Sequence, residues 1–327
     1  MFTLRYNPLM SGRYLISAWR KTLTPQYRRP LYIHSTNRSF SSSTDKYFLE
    51  QIPIVGKLFT GYYDRKREQG IKEKQEQRQQ ILNDKFHKIL DIKEWYNDHR
   101  RVKNMNLALI CLDDGADVNY RSESDTTALT DLSGWDCITE IRQLLNRGAL
   151  VDLPGTKNET ALIKASRYGH SRAVKLLLDH GANVNYITER GGALTVTKNL
   201  SVSESLSVIE LLIKHGIDVN QGTSSGETKL HSACKYGEVS IVKLLLKSGA
   251  NVNARCDGGK TPLMEAVYVN DTLGMYYDKK KIIKLLIEHG AALELKDKDQ
   301  RTAYQNAKCR SIIELLDSYR NNEHLLL

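Results

Sequence analysis

The five residues GANVN stand at 181–185 and again at 249–253, and near-copies occupy four more places. These are GADVN at 115–119, GALVD at 148–152, GIDVN at 216–220 and GAALE at 290–294. Their opening glycines, Gly115, Gly148, Gly181, Gly216, Gly249 and Gly290, are separated by 33, 33, 35, 33 and 41 residues. A period in this range restricts a chain to a stack of small units, none of which can bury its apolar face alone.

The text between the glycines repeats as well. Residues 226–253 read GETKLHSACKYGEVSIVKLLLKSGANVN, residues 160–185 read TALIKASRYGHSRAVKLLLDHGANVN, and residues 259–263 read GKTPL. In register and in wording this resembles the ankyrin repeat, over roughly residues 100–320. The resemblance implies an all-α solenoid of stacked helix-turn-helix units with loop or β-hairpin tips. A degenerate first cap is expected at about 82–119, full repeats at about 120–290 and a terminal cap at about 291–320.

Each letter has a physical task. Thr160, Thr228 and Thr261 precede short helices, where a hydroxyl satisfies an orphan backbone N–H. Pro262 follows at the first helical position, where a missing N–H costs nothing. Ala165, Ala233 and Ala266 allow close approach between repeats. The triplets Leu176–Leu178 and Leu244–Leu246, with their counterparts at 211–213 and 285–287, lie on the second helix. Each fully buried leucine there contributes about 1.5–3 kcal/mol. The glycine then stops the helix in a left-handed turn, the valine of the motif returns to the core, and Asn185, Asn220 and Asn253 tie the outgoing loop.

Two departures break the register. In the third full repeat Gly192 takes the place of the threonine, and the distance to Gly216 grows to 24 residues from the usual 21. A lengthened, looser first helix or loop is predicted there. From Thr261 to Gly290 the distance is 29, so about eight extra residues within VYVNDTLGMYYDKKK bulge between two helices.

Composition adds a separate head. Residues 1–44 hold seven basic side chains and no acidic one, which leaves 41 basic against 38 acidic in the remainder. The formal charge of +10 thus belongs mostly to this segment, and the nearly balanced body argues against nucleic acid as a partner. An Arg- and Ser-rich, amphipathic, acid-free stretch has the composition of a transit peptide. Its Arg38, Phe40 and Ser41 resemble a mitochondrial presequence cleavage site. Mitochondrial delivery is one expectation. A cytoplasmic chain, or one secreted into a host by an intracellular bacterium, is the other. Residues 45–63 form an apolar island interrupted by Pro53 and Gly56, which can dock on the first repeat or rest on a membrane surface. A charged helix or linker follows to residue 81. No apolar run is long enough to span a bilayer as a helix.

Catalysis finds no foothold. The chain lacks H-E-x-x-H, G-x-S-x-G and a phosphate-binding G-x-x-x-x-G-K-[ST]. The five cysteines are odd in number, with no C-x-x-C pair, and read as small buried hydrophobes. His180, His215 and His289 each precede a helix-ending glycine, where a side chain can bond the last carbonyls. The resemblance gives His170 and His231 a backbone hydrogen bond between repeats. No metal and no cofactor are expected.

The resemblance also implies that partners bind a concave face lined by first helices and loop tips. The slots on that face are Arg167 with Tyr168 and Lys235 with Tyr236, the pairs that precede Gly169 and Gly237. The loop-tip slots are Thr156, Lys157 and Glu159 in one repeat, Ser224, Ser225 and Glu227 in another, and Asp257, Gly258 and Lys260 in a third. Recurrent basic-plus-tyrosine pairs suit an acidic partner segment. The expected function is that of a non-catalytic protein-protein interaction scaffold. A host-directed effector of an intracellular bacterium is the alternative, and an enzyme a distant third.

Overall fold

The computed structural model describes residues 53–89, 98–268 and 276–323. The expectations for the head at 1–44, for residues 45–52 of the apolar island and for residues 269–275 of the insertion lie outside the described residues. The chain divides into two compact units, residues 1–72 and 73–327.

In the first unit the described residues belong to one helix, α1 (Pro53–Ile89). Pro53 opens this helix and Gly56 lies within it, so neither residue interrupts the segment. A proline at a helix start gives up only an N–H that would have no partner there. From Asp64 to Gln80 the side chains are exposed, as a stretch of charge and amide broken only by Gly70 and Ile71 requires.

The second unit holds α2 (Asp98–Asp113), followed by helix pairs. The pairs are α3 (Ala128–Ser133) with α4 (Ile138–Asn146), and α5 (Ala161–Arg167) with α6 (Ser171–Asp179). After a short hairpin come a 3-10 turn (Thr195–Asn199) and α7 (Val202–Lys214). The remaining pairs are α8 (Lys229–Tyr236) with α9 (Val239–Lys247), α10 (Pro262–Val267) with α11 (Tyr276–Glu288), and α12 (Ala303–Asn306) with α13 (Arg310–Glu323). First helices pack on first helices in sequence order from α3 to α12, with the 3-10 turn in its place in the row. Second helices from α4 to α11 do the same. Leu177, Leu212, Leu245 and Leu286 are completely buried between them.

The repeated motif is visible in the backbone. The six opening glycines have φ between 80° and 100°, the left-handed region that a Cβ disfavours. Thr160 and Thr261 cap their helices by accepting the N–H of Ile163 and Met264, each at 3.4 Å. Loop tips form a two-stranded hairpin, β1 (Ile187–Thr188) with β2 (Gly191–Gly192), and isolated bridges at Arg121–Thr127 and Gly222–Thr228.

The closing asparagine does more than tie its own loop. Asn185 Nδ2 donates to the carbonyl of Gly216, while its Oδ1 accepts the N–H of Asp218. Asn220 treats Gly249 and Asn251 in the same way, and Asn253 does so with Gly290 and Ala292. Asn119 does so with Gly148 and Leu150. Each clamp reaches from one repeat to the next. For the first motif α1 supplies the substitute: Gln79 Nε2 donates to the Gly115 carbonyl at 2.5 Å, and Asn83 Oδ1 accepts from Asp117 at 2.8 Å.

The third repeat differs from its prediction. Its first helix is neither lengthened nor loose. It is cut to the single 3-10 turn, and the extra residues extend the second helix, α7, to 13 residues against 9 in α6 and α9. Ser201 explains the start: with Glu204 it makes a capping box four residues before Ser205, the position that matches the caps His170 and Glu238 of the other second helices. Gly192 is required because a Cβ there would sit 1.9 Å from Gln221 Oε1 and 2.9 Å from the Tyr186 carbonyl.

Two lysines are buried. Lys229 Nζ meets Glu238 Oε2 at 3.1 Å with both side chains almost sealed from solvent. Lys279, on α11, donates to the carbonyls of Glu265 and Tyr268 at 3.1 and 3.0 Å, closing the end of α10. Burial pushes the Lys279 ammonium down to about 8. The folded chain therefore holds fewer protons there than the unfolded chain between about pH 8 and the ordinary lysine value of 10.5. The contribution of this group to stability rises with pH across that window. The unfolding free energy of the natural protein should gain on that of Lys279→Met from pH 8 to pH 10 in matched denaturant titrations. A difference independent of pH would count against this account.

Candidate partner-binding face

The chemistry of the second unit is mostly spent on structure. The Nδ1–H groups of His180, His215 and His289 donate to the carbonyls of Leu176, Leu211 and Leu285, each at 2.8 Å. His170 Nε2 donates to Gly134 and His231 Nε2 to Lys260, both at 3.1 Å and both across a repeat boundary. His231 Nδ1 lies 2.9 Å from Thr228 Oγ1, and burial lowers the pKa of the ring. Thr228 and His231 thus cap α8 as a pair. Cys111, Cys137 and Cys234 are buried, while Cys256 and Cys309 are only half-buried. Burial raises the Cys234 thiol. Among the described residues no cluster of His, Cys, Asp and Glu could hold a metal.

The slots predicted for a partner fall on two strips. One runs along the C-terminal ends of the first helices. Tyr168 and Tyr236 are 52% and 44% exposed in a row of helices that is otherwise largely buried. Tyr168 stacks on His170 with centroids 6.0 Å apart, and Lys235 Nζ lies 5.9 Å from the Tyr236 ring. Arg167 is turned back, with Nη2 2.5 Å from Glu159 Oε1. That pairing takes both residues partly out of play as free charges.

The other strip is the loop tips, which bond to one another. Thr156 Oγ1 donates to the Ser124 carbonyl, the Asp257 N–H to Ser225, and the Lys298 N–H to Gly258. Lys157 is exposed with φ of 62°. Ser224 is exposed, Ser225 and Glu227 are half-buried, and exposed Lys260 reaches Glu265 at 3.6 Å. The reduced first helix of the third repeat leaves a hollow of about 350 Å³ beside this strip, lined by Arg167, Arg190, Thr195, Ser224 and Glu227 among others. The structure thus brings Arg167, Ser224, Ser225 and Glu227 together, and holds Lys235 and Tyr236 apart from them.

Two exposed aromatics escaped the sequence reading. Trp135, 48% exposed, lies eight residues after the capping Thr127, just as Tyr168 follows Thr160 and Tyr236 follows Thr228. Tyr268, 50% exposed, occupies the slot one residue earlier, after Thr261. Counting from the cap would have found both. The Trp135 slot was hidden because Asp136 replaces the usual glycine, adopting φ of 54° where Gly169 and Gly237 have 74° and 76°.

Comparison with known proteins agrees with this architecture. The family model described as ankyrin repeats (3 copies) matches residues 99–188 and 199–297. The chain belongs to the ankyrin-repeat family, whose domains generally mediate protein-protein interaction and are generally non-catalytic. It is 28% identical over 232 residues to human SH3 and multiple ankyrin repeat domains protein 2, covering 69% of this chain and 12% of that protein. It is 31% identical over 179 residues to the putative ankyrin repeat protein YahD of Escherichia coli, covering 54% of this chain and 87% of the other. The solved ankyrin repeat domain of Bcl-3 superposes with a TM-score of 0.58 at 22% identity, over 72% of this chain and 97% of that one, which speaks for the fold alone. No helix among the described residues is long and apolar enough to cross a membrane.

Proposed function

We propose that the chain is a non-catalytic adaptor that grips a partner protein along its first-helix row and loop tips, the concave face of an ankyrin stack. The observation that carries this reading is the recurrence of an exposed Trp or Tyr at the end of the first helix in four repeats, with Trp135, Tyr168 and Tyr236 at one register and Tyr268 one residue earlier. Large aromatic side chains dominate protein interfaces, and nothing in the stack's own packing needs them exposed. The test is capture of partners by the full chain against a version with Arg167, Tyr168, Lys235 and Tyr236 changed to alanine. A partner retained equally by both would refute the face. A partner reduced about tenfold or more on the variant, with an unchanged melting curve, would support it.

The composition of residues 1–44 supports delivery to mitochondria. Residues 1–50 fused to a fluorescent reporter are expected to direct it there, and a reporter left diffuse in the cytosol would remove that part of the proposal.

A further inference from the structure

The last repeat ends unlike those before it. There the second helices stop at the glycine of the motif, and apolar residues just after it return to the core: Ala182, Ile217, Val219 and Ala291 are buried. In α13 Leu316 is buried as Leu286 is in α11, and four residues beyond it Arg320 stands where α11 has Gly290. With no glycine to turn the chain, α13 runs on to Glu323.

The boundary one repeat earlier shows what this overrun displaces. Asn253 donates to the carbonyl of Gly290 and accepts the N–H of Ala292, so the chain leaving α11 is bonded to it as it turns inward. Glu294 holds the corresponding place at the last boundary. It meets a continuing helix, with Arg320 Nε 3.7 Å from its Oε1. Beside this pair lies a hollow of about 320 Å³, lined by Leu293, Glu294, Lys296, Tyr304, Leu316 and Arg320 among others. Glu294 and Arg320 neutralise each other. Lys296 is exposed, and a lysine can keep its ammonium in water above an apolar occupant.

The next residues in the sequence are His324, Leu325, Leu326 and Leu327. We infer that these three leucines fold back into the hollow, take the place of the motif's inward side chains, and close the end of the stack. Reach permits it. Glu323 lies three residues past Arg320, about 4.5 Å along the helix, and four extended residues span about 13 Å. Composition favours it, because three successive leucines left in water are a liability and a repeat array needs its terminal unit closed. The tether favours this occupant over a second copy or a free partner. A segment attached so near the hollow meets it at an effective concentration on the order of millimolar.

Disulfide trapping in the full chain tests this. Leu326→Cys is combined with Lys296→Cys or with Gln305→Cys, two exposed residues of the lining. A disulfide needs the two Cα atoms within about 7 Å. Mild oxidation should join the new cysteines within one chain in at least one of the two pairs. The yield should exceed about tenfold that of a control pair, Leu326→Cys with Lys157→Cys on a distant loop tip, when unreduced digests are compared by mass spectrometry. Leu325→Ser, Leu326→Ser and Leu327→Ser together should lower the melting midpoint by about 2–4 °C, whereas Leu→Met at all three positions should hold it. No disulfide above the control in either pair, or one found only between two chains, overturns the inference. So does a triple serine variant that melts with the natural protein.

Discussion

Replacing Lys229 with methionine is expected to destabilise the protein by about 3–5 kcal/mol, the usual cost of stranding one charge of a buried pair. Lys229 is completely buried, and its partner Glu238 has a side chain only 7% exposed. Methionine fills the volume of the lysine stem but leaves the Glu238 carboxylate sealed without its cation. The double variant Lys229→Met, Glu238→Leu should recover most of the loss, because the desolvation of both charges disappears together. Urea denaturation of the three proteins measures both effects. A single variant within about 1 kcal/mol of the natural protein would mean that the pair is hydrated in solution.

The second large effect concerns the third repeat. Leu212→Ala removes a completely buried side chain from α7, and large-to-small changes of this kind cost about 2–5 kcal/mol. The expected consequence is also one of cooperativity. In a solenoid each repeat is stabilised by its neighbours, and this repeat contributes a single 3-10 turn, not a helix, to the first-helix row. Weakening α7 should therefore separate unfolding into two transitions, one for the repeats up to Gly181 and one for those after Thr228. Leu245→Ala, buried to the same degree on the second helix of a complete repeat, should lower the midpoint without splitting it. A single sharp transition in both variants would show that the third repeat couples as strongly as the others.

The repetitive part of the fold was legible because its signals are local. A glycine at positive φ, a threonine at a helix start and a leucine triplet report on themselves, and their spacing reports on the stack. The third repeat was misjudged for the same reason. The extra residues can be counted, but whether they lengthen the first helix or the second depends on where a new cap forms. Ser201 with Glu204 decides that, and a capping pair inside a polar, serine-rich stretch does not stand out in the sequence. Buried Lys229 and Lys279 were invisible because lysine in a helix ordinarily reads as surface. Their partners, Glu238 and the carbonyls at the end of α10, are brought to them by tertiary packing. The binding slots were half legible: Tyr168 and Tyr236 sit in intact motifs, whereas Trp135 and Tyr268 sit where the motif is altered.

The asparagine clamps point one way along the chain, from each unit toward its successor. A segment that ends in its own asparagine brings the means of joining whatever comes after it, so a whole unit could be duplicated or lost with every clamp still closed. Growth is therefore easy in the middle and hard at the front. There the carbonyl of Gly115 and the amide of Asp117 depend on Gln79 and Asn83, which no copied unit would supply.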